Sequence, residues 1–230
     1  MRTKISLAFC DGFFHDVCYS FMRNMSLNTP IAHHSFTAID FESAGMATGS
    51  TDVPIQIGIA RWMPGIGLGE SFVSFLHTTQ SITWSAQKVH GIAVADLAEA
   101  PTMLSLWPVV KEHLHGRVIV AHGKGTEKKF LRAFPGHGFG PWVDTLLLAR
   151  ATWPESTDHS LGVLCDALQI TEQVQAACPD RQWHDALYDS IASLFLLEKI
   201  LHLTNAWQAP LQHLLQPDQS AWRRHQALRG

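Results

Sequence analysis

The stretch TAIDFES, residues 37–43, decides the fold and raises an electrostatic question. Apolar and acidic side chains alternate in it, which predicts a β-strand with Ile39 and Phe41 on one side. Asp40 and Glu42 then lie together on the other side. Burying two neighbouring carboxylates is costly unless something compensates their charge. A core strand that carries both acids therefore needs positive charge or hydrogen-bond donors nearby, and the rest of the chain must help to supply them.

Strand and helix patterns succeed one another along the chain. The sequence predicts four strands and one strand-to-helix segment, at 35–43, 54–62, 71–77, 117–122 and 142–153. The first three follow one another through Gly-containing turns, which is typical of an antiparallel meander. The later two alternate with helices, which is typical of parallel strands inside a mixed sheet. We therefore predict an α/β fold whose mixed sheet is flanked by helices.

Length and composition favour one globular domain. The chain has 230 residues, of which 46% are hydrophobic and 16% charged, enough to bury a substantial core. We place this domain at 35–203, with a C-terminal amphipathic tail at 204–230. Residues 1–34 form an N-terminal extension. Either it is disordered or, if Met25 is the natural start, residues 1–24 result from a start codon assigned too early. No apolar run reaches the roughly 18 to 20 residues of a membrane span.

Charge and cysteine usage narrow the class of protein further. A net charge of −3 argues against a broad basic surface for nucleic acid, although a local basic patch stays open. The four cysteines show no CxxC spacing, which favours a reducing compartment. The apolar N-terminus is interrupted by Asp11 and His15 and has no cleavage site of a signal peptide. We therefore predict a cytoplasmic protein.

A second acid on an inward face marks the long apolar helix predicted at 185–203. Asp189 shares its stripe with four residues at helical spacing, namely Ala192, Ser193, Leu196 and Ile200. Asp185 stands where the helix should begin, so we expect it to be an N-cap or a first-turn acid. His184 precedes the helix, and helical spacing does not fix where its ring points.

Each remaining acid or histidine, taken singly, has an ordinary structural explanation. Glu127 follows the apolar strand at the start of a helix, where it would complement the helix dipole. Asp40 alone could cap a turn, and His184 alone could be a histidine that is either hydrogen-bonded within the fold or exposed. The information lies in the ordered set.

That set resembles the DnaQ-like DEDDh 3′–5′ exonucleases, which have an RNase H-like fold. The Asp-x-Glu of the family's first motif is matched by Asp40 and Glu42. The His-x-Ala-x-x-Asp of its third motif is matched by His184 and Asp189, five residues apart. The second motif is AHGKGTEKKFL at 121–131, which has Glu127 in place of the family's aspartate.

The resemblance implies a nuclease that depends on two divalent metals. Mg²⁺ or Mn²⁺, two per site, would be held by four carboxylates, those of Asp40, Glu42, Asp189 and Glu127. His184 would be the general base that takes a proton from the attacking water. The implied reaction hydrolyses terminal phosphodiesters of single-stranded DNA or RNA from the 3′ end to nucleoside 5′-monophosphates.

Substrate contacts are implied at the positions beside these motifs. Five residues are assigned to substrate binding, namely Ser43, Ala44, Gly45, His90 and Lys124. His90 lies in KVHGI at 88–92, which resembles the family's loop beside the terminal nucleotide; its alternative is a structural turn histidine. The tail at 204–230 offers a place for a protein partner. The sequence leaves open the choice between DNA and RNA, the substrate length and the oligomeric state.

Three departures from the family pattern fall in the second motif. Besides Glu127, the usual asparagine is Gly123 and the usual aromatic residue is Thr126. These changes favour an alternative, a catalytically impaired nuclease-fold module that binds nucleic-acid ends or a protein partner. Retention of the other four motif residues favours an active enzyme.

Overall fold

A computed structural model describes residues 26–46, 49 and 51–215 of the chain. The predictions for residues 1–24, and for the tail beyond residue 215, lie outside this part. The strands are β1 (Phe36–Ser43), β2 (Pro54–Met63), β3 (Gly67–Phe75), β4 (Val118–Ala121) and β5 (Trp142–Asp144). The α-helices of the described residues are α1 (Trp84–His90), α2 (Val94–Leu97), α3 (Trp107–Leu114), α4 (Gly125–Leu131), α5 (Thr145–Thr152), α6 (Leu161–Ala167), α7 (Thr171–Ala177), α8 (Ala186–Leu203) and α9 (Gln212–Leu215). Short 3₁₀ helices occupy Ile31–His33 and Leu104–Leu106.

The five strands form one mixed sheet in the order β3-β2-β1-β4-β5. β2 pairs antiparallel with both β1 and β3, whereas β4 pairs parallel with β1 and with β5. This confirms the predicted antiparallel meander followed by parallel strands. β3 begins at Gly67, earlier than predicted, because Gly67 and Leu68 pair with Met63 and Trp62 across the turn.

Helices cover both faces of the sheet, and β1 contributes to both cores. Phe36 and Ala38 are buried in the cluster formed with α8, whereas Ile39 and Phe41 are buried in the cluster formed with α3 and α4. The side chains therefore alternate between the two faces of the sheet along the whole strand. Asp40 is in phase with Phe36 and Ala38, and so faces α8.

The start of α8 lies against the backbone of β2. A Cβ atom on Gly58 would lie 2.1 Å from the carbonyl carbon of Ala186 and 2.2 Å from the nitrogen of Leu187. The hydroxyl of Ser190 donates a hydrogen bond to the Gly58 carbonyl at 2.9 Å. A glycine inside a strand commonly marks such an approach by another backbone. Gly58 thus sets how close the helix comes to the sheet.

The two ends of the described chain pack on each other. The N–H of Ile31 donates to the Ala209 carbonyl at 2.9 Å, and the N–H of Leu211 donates to the Thr29 carbonyl at 3.0 Å. Ile31 and Leu211 are fully buried in the core that includes α8. The packed unit therefore extends beyond the predicted range 35–203 on both sides. None of the helices in the described part is both long and apolar enough to span a bilayer.

Candidate active site

Carboxylates from β1 and α8 meet beside an exposed histidine. Glu42, His184 and Asp189 each offer a ligand atom, and these atoms all lie within 4.8 Å of one another. Glu42, on β1, points to the face of the sheet that α8 covers, and Asp189 lies in the first turn of that helix. Residues that are about 150 positions apart in the chain thus form one cluster.

Asp40 lies among the other three acids of the set. Burial raises the pKa of Asp40 well above its usual value, and the negative charges of Asp189, Glu127 and Glu42 raise it further, in that order. Such mutual effects require the carboxylates to be close together. Asp40 therefore lies within electrostatic reach of the other three acids that the sequence singled out.

The other three acids also hold their protons more tightly than usual. Burial, with smaller contributions from Asp189 and Asp185, raises the pKa of Glu42 to about 8. Burial raises the pKa of Asp189 to about 7, against the opposing effect of a hydrogen bond with the His184 backbone. Burial likewise raises the pKa of Glu127 to about 7. These four acids resist ionisation when no cation is present. A bound cation would lower their pKa values, and they would then ionise readily.

The residues fit a divalent metal. The Oε2 atom of Glu127 and the Oδ1 atom of Asp189 are buried and accept no hydrogen bond. Buried charged oxygens normally have partners, so these two atoms call for one. Mg²⁺ and Mn²⁺ prefer oxygen ligands, which this set of carboxylates supplies. Asp40, Glu42, Glu127 and Asp189 are the residues that could hold such ions.

Glu127 is fixed by the turn that precedes α4. It lies in the first turn of this helix, as predicted, and only 4% of it is exposed. Asp144, at the end of β5, accepts hydrogen bonds from the backbone N–H groups of Gly123 at 3.1 Å and Lys124 at 3.2 Å. It also caps α5 through the N–H of Leu146 at 3.1 Å. One carboxylate thus ties the second motif to the neighbouring strand.

His184 stands just before α8 in an unusual backbone conformation. Its φ angle is +65°, in the left-handed region, and its side chain is exposed. Asp185 is the N-cap of α8 and accepts from the N–H groups of Leu187 and Tyr188, which confirms its predicted role. The helix start therefore positions both the histidine before it and Asp189 one turn later.

Comparison with known proteins identifies the family. The family model described as Exonuclease (RNase_T) matches residues 37–197, more than half of the chain. The chain belongs to the exonuclease family.

Individual relatives of this family agree with the assignment. The chain is 30% identical, over 186 residues, to a DNA polymerase III subunit epsilon-like protein of Rhodobacter capsulatus, covering 79% of the chain and 25% of the relative. It is 27% identical to DNA polymerase III PolC-type of Bacillus cereus, covering 74% of the chain and 12% of the relative. The chain therefore spans a quarter or less of the length of these relatives.

Solved structures of exonucleases share the fold. Exonuclease X in complex with 5′ overhanging duplex DNA superimposes with a TM-score of 0.60 at 24% identity, covering 76% of this chain and 97% of that one. The nuclease domain of 3′hExo, a DEDDh family member bound to rAMP, gives 0.58 at 14% identity, covering 76% and 94%. The chain thus shares the mixed-sheet fold of these exonuclease domains. Family and fold together support a nuclease hydrolase.

The segment after the first exonuclease motif is held tightly against α1. The N–H of Thr83, the N-cap of α1, donates to the Ala44 carbonyl at 2.8 Å. Gly45 has a φ of +81°, and a Cβ atom there would lie 2.2 Å from the Thr83 hydroxyl. Only glycine combines this conformation with so close a neighbour. The glycine at position 45 therefore has a structural reason in this chain.

His90, at the end of α1, lies near the same segment. Burial lowers the pKa of His90, the backbone of Ser43 opposes this effect, and the charge of His184 adds to it. The His90 Nδ1 atom accepts a hydrogen bond from the N–H of Ile92 at 3.0 Å. His90 thus lies within electrostatic reach of His184. Lys124 is the N-cap residue of α4.

Two residues around this site escaped prediction from the sequence. Gln56 contacts the start of α8, but a polar residue in a strand gives no signal for a buried role until the pairing register is known. Gly58 carried a usable signal, since a glycine inside an otherwise apolar strand often marks a close backbone approach. Its neighbour in space, however, could not be named from the sequence.

Proposed function

We propose that this protein is a metal-dependent 3′–5′ exonuclease that releases nucleoside 5′-monophosphates from single-stranded DNA or RNA. One observation carries the proposal: Glu42, Asp189 and the exposed His184 offer ligand atoms within 4.8 Å of one another, and the charges of Asp189, Glu127 and Glu42 raise the pKa of Asp40 beside them. Such an arrangement is unfavourable without cations and suits a site that binds them. Location in the cytoplasm and a protein partner at the C-terminal tail stay predictions.

Each residue then has a defined task. Asp40, Glu42 and Asp189 would hold the metals directly, and Glu127 would help to hold the second one. Bound divalent metals supply positive charge for the attacking and leaving oxygens of the displacement at phosphorus. His184 would accept a proton from the attacking water, because an exposed imidazole beside the carboxylates can reach solvent.

The backbone around the site would receive the 3′-terminal nucleotide. Ser43, Ala44 and Gly45 follow Glu42 directly, and α1 holds them in place. His90 lies beside Ser43, where it could contact the terminal nucleotide. Lys124 would contribute a positive charge near the phosphates. A local cation and bound metals explain how a chain of net charge −3 could bind a polyanion.

A direct assay tests the proposal. Purified protein would be incubated with 5′-labelled single-stranded DNA, single-stranded RNA and a 5′-overhanging duplex, with Mg²⁺ or Mn²⁺, and the products resolved on a denaturing gel. We expect a ladder that shortens from the 3′ end and disappears with EDTA. Asp189→Asn should abolish it, whereas Asp180→Asn, at an exposed position, should not. Cleavage that persists in EDTA or in Asp189→Asn would contradict the proposal.

The glutamate at position 127 supports a second candidate function. In this function the protein is a module that binds 3′ ends without cleaving them. The longer side chain changes the reach of an acid that relatives supply as aspartate. In this case the protein would retain a labelled 3′-end oligonucleotide in a binding assay, while every metal condition left its length unchanged. Glu127→Asp should then create activity, which separates an impaired site from a site of another kind.

A further inference from the structure

We propose that Gln56 is a positioning residue, which fixes the His184 loop relative to the carboxylates; this inference rests on the proposed function. Gln56 lies on β2, directly opposite Glu42 of β1, and is only 3% exposed. Its Nε2 atom donates to Oδ2 of Asp185 at 2.9 Å, and its Oε1 atom accepts from the N–H of Ala186 at 3.0 Å. Both ends of one amide therefore contact the two residues that follow His184.

The amide completes the N-terminal cap of α8. The first N–H groups of a helix have no partner within the helix and need one from outside. Asp185 uses its Oδ1 atom for the N–H groups of Leu187 and Tyr188, at 3.0 and 3.4 Å. The remaining N–H, that of Ala186, is bound by Gln56. The second oxygen of Asp185 is held by Gln56 and by Arg181. The helix start is thus attached to the sheet through a side chain of β2.

His184 itself needs this external restraint. A φ of +65° is unfavourable for a residue other than glycine and persists only where the surroundings enforce it. The imidazole is exposed, so packing of its own ring cannot fix it. Asp189, in contrast, lies on an 18-residue helix that packs along the sheet. Loss of the Gln56 contacts should therefore displace His184 more than it displaces the metal-holding acids.

The substitution Gln56→Glu tests this with almost no change in shape. Glutamate can still accept from the N–H of Ala186, but its second oxygen would face the carboxylate of Asp185, and the two would repel. We expect kcat on a 5′-labelled oligonucleotide to fall about 10- to 100-fold, as misplaced catalytic groups commonly cause. KM and the shift in melting temperature caused by Mg²⁺ should stay close to those of the wild-type protein. Gln212→Glu, at an exposed position, is the matched control for added charge.

The reciprocal variant Gln56→Glu/Asp185→Asn should restore the contact. The amide N–H₂ of the introduced asparagine can donate to the new glutamate, while its oxygen still caps the helix, since asparagine is as good an N-cap as aspartate. Asp185→Asn alone should also lower kcat, because either orientation of the Gln56 amide then leaves two hydrogen-bond donors facing each other. We therefore expect both single variants to lose kcat and the double variant to recover part of it, since Arg181 still lacks the carboxylate oxygen that it binds in the wild-type protein.

Hydrogen exchange separates the inference from the proposed function. Amides of residues 182–188, followed by mass spectrometry in the presence of Mg²⁺, should exchange faster in both single variants and return towards normal in the double variant. Faster exchange with unchanged kcat, or a double variant that is no better than the singles, would overturn the positioning role. A wild-type protein that cleaves no substrate would refute the proposed function, and exchange alone would then decide whether Gln56 fixes the loop.

Discussion

Gly58→Ala should damage the site without touching any of its proposed catalytic groups. The new Cβ atom would lie 2.1 Å from the carbonyl carbon of Ala186, whereas ordinary contacts begin at 3.4 Å. The helix start must therefore move away from β2 by about 1.3 Å, or the strand must bend by as much. Neither backbone can rotate out of the way as a side chain would.

This displacement has a predictable size in both stability and rate. Overpacking of a core costs about 1–3 kcal/mol, and we expect the upper end because backbone meets backbone. For a chain of this length, about 3 kcal/mol lowers the melting temperature by about 6–12 °C. Because α8 carries Asp189, a shift of about 1 Å relative to Glu42 should lower the rate of cleavage about 100-fold.

Melting followed by circular dichroism, and initial rates on a 5′-labelled oligonucleotide well below the melting temperature, would measure both effects. Gly138→Ala is the matched control, because no atom lies within 4 Å of the Cβ that it adds. The control should melt as the wild-type protein does. If Gly58→Ala melted within about 2 °C of the wild-type protein and kept its rate, the close approach of α8 to β2 would not be what positions the site.

Three further predictions concern the ionisable groups. In the metal-free protein the pKa values of Glu42, Glu127 and Asp189 are raised to about 8, 7 and 7. The folded state therefore binds more protons than the unfolded state between about pH 4.5 and 8, and its stability falls as pH rises through that window. Since Mg²⁺ competes with these protons, its effect on the melting temperature should be larger at pH 8 than at pH 5.5; equal effects would contradict the site. Glu127→Gln removes a buried acid that has an unpartnered oxygen, so the metal-free protein should melt about 2–8 °C higher at pH 8. Its cleavage rate in the presence of metal should fall. Glu172→Gln, at an exposed position, should change neither the melting temperature nor the rate. His184→Ala should lower the rate about 10²- to 10⁴-fold and keep the Mg²⁺-induced shift in melting temperature, and loss of that shift would make His184 a metal ligand rather than a base.

Local periodicity allowed much of the site to be predicted. The alternation around Asp40 and Glu42 places both acids on one face, and the structure has them there. Helical spacing predicted the inward position of Asp189, and the place of Asp185 before an apolar run predicted an N-cap. These features depend on the geometry of a single strand or helix, which neighbouring residues determine. The catalytic and binding roles of these residues stay proposals.

Tertiary structure alone decided which elements meet. The bonds from Gln56 to Asp185 and Ala186 join residues 129 and 130 positions apart, so no local pattern could reveal them. The packing of Ile31 with the segment near Leu211 likewise extends the folded unit beyond the limits that the sequence predicted.

The sequence by itself thus determined which residues carry charge, on which face of their own strand or helix, and in what order. Only the folded chain decided that β1 and α8 lie close enough for their acids to raise one another's pKa values. The physical reason is that periodicity depends on bonded geometry, whereas the approach of α8 to β2 depends on the absence of a single Cβ atom at Gly58.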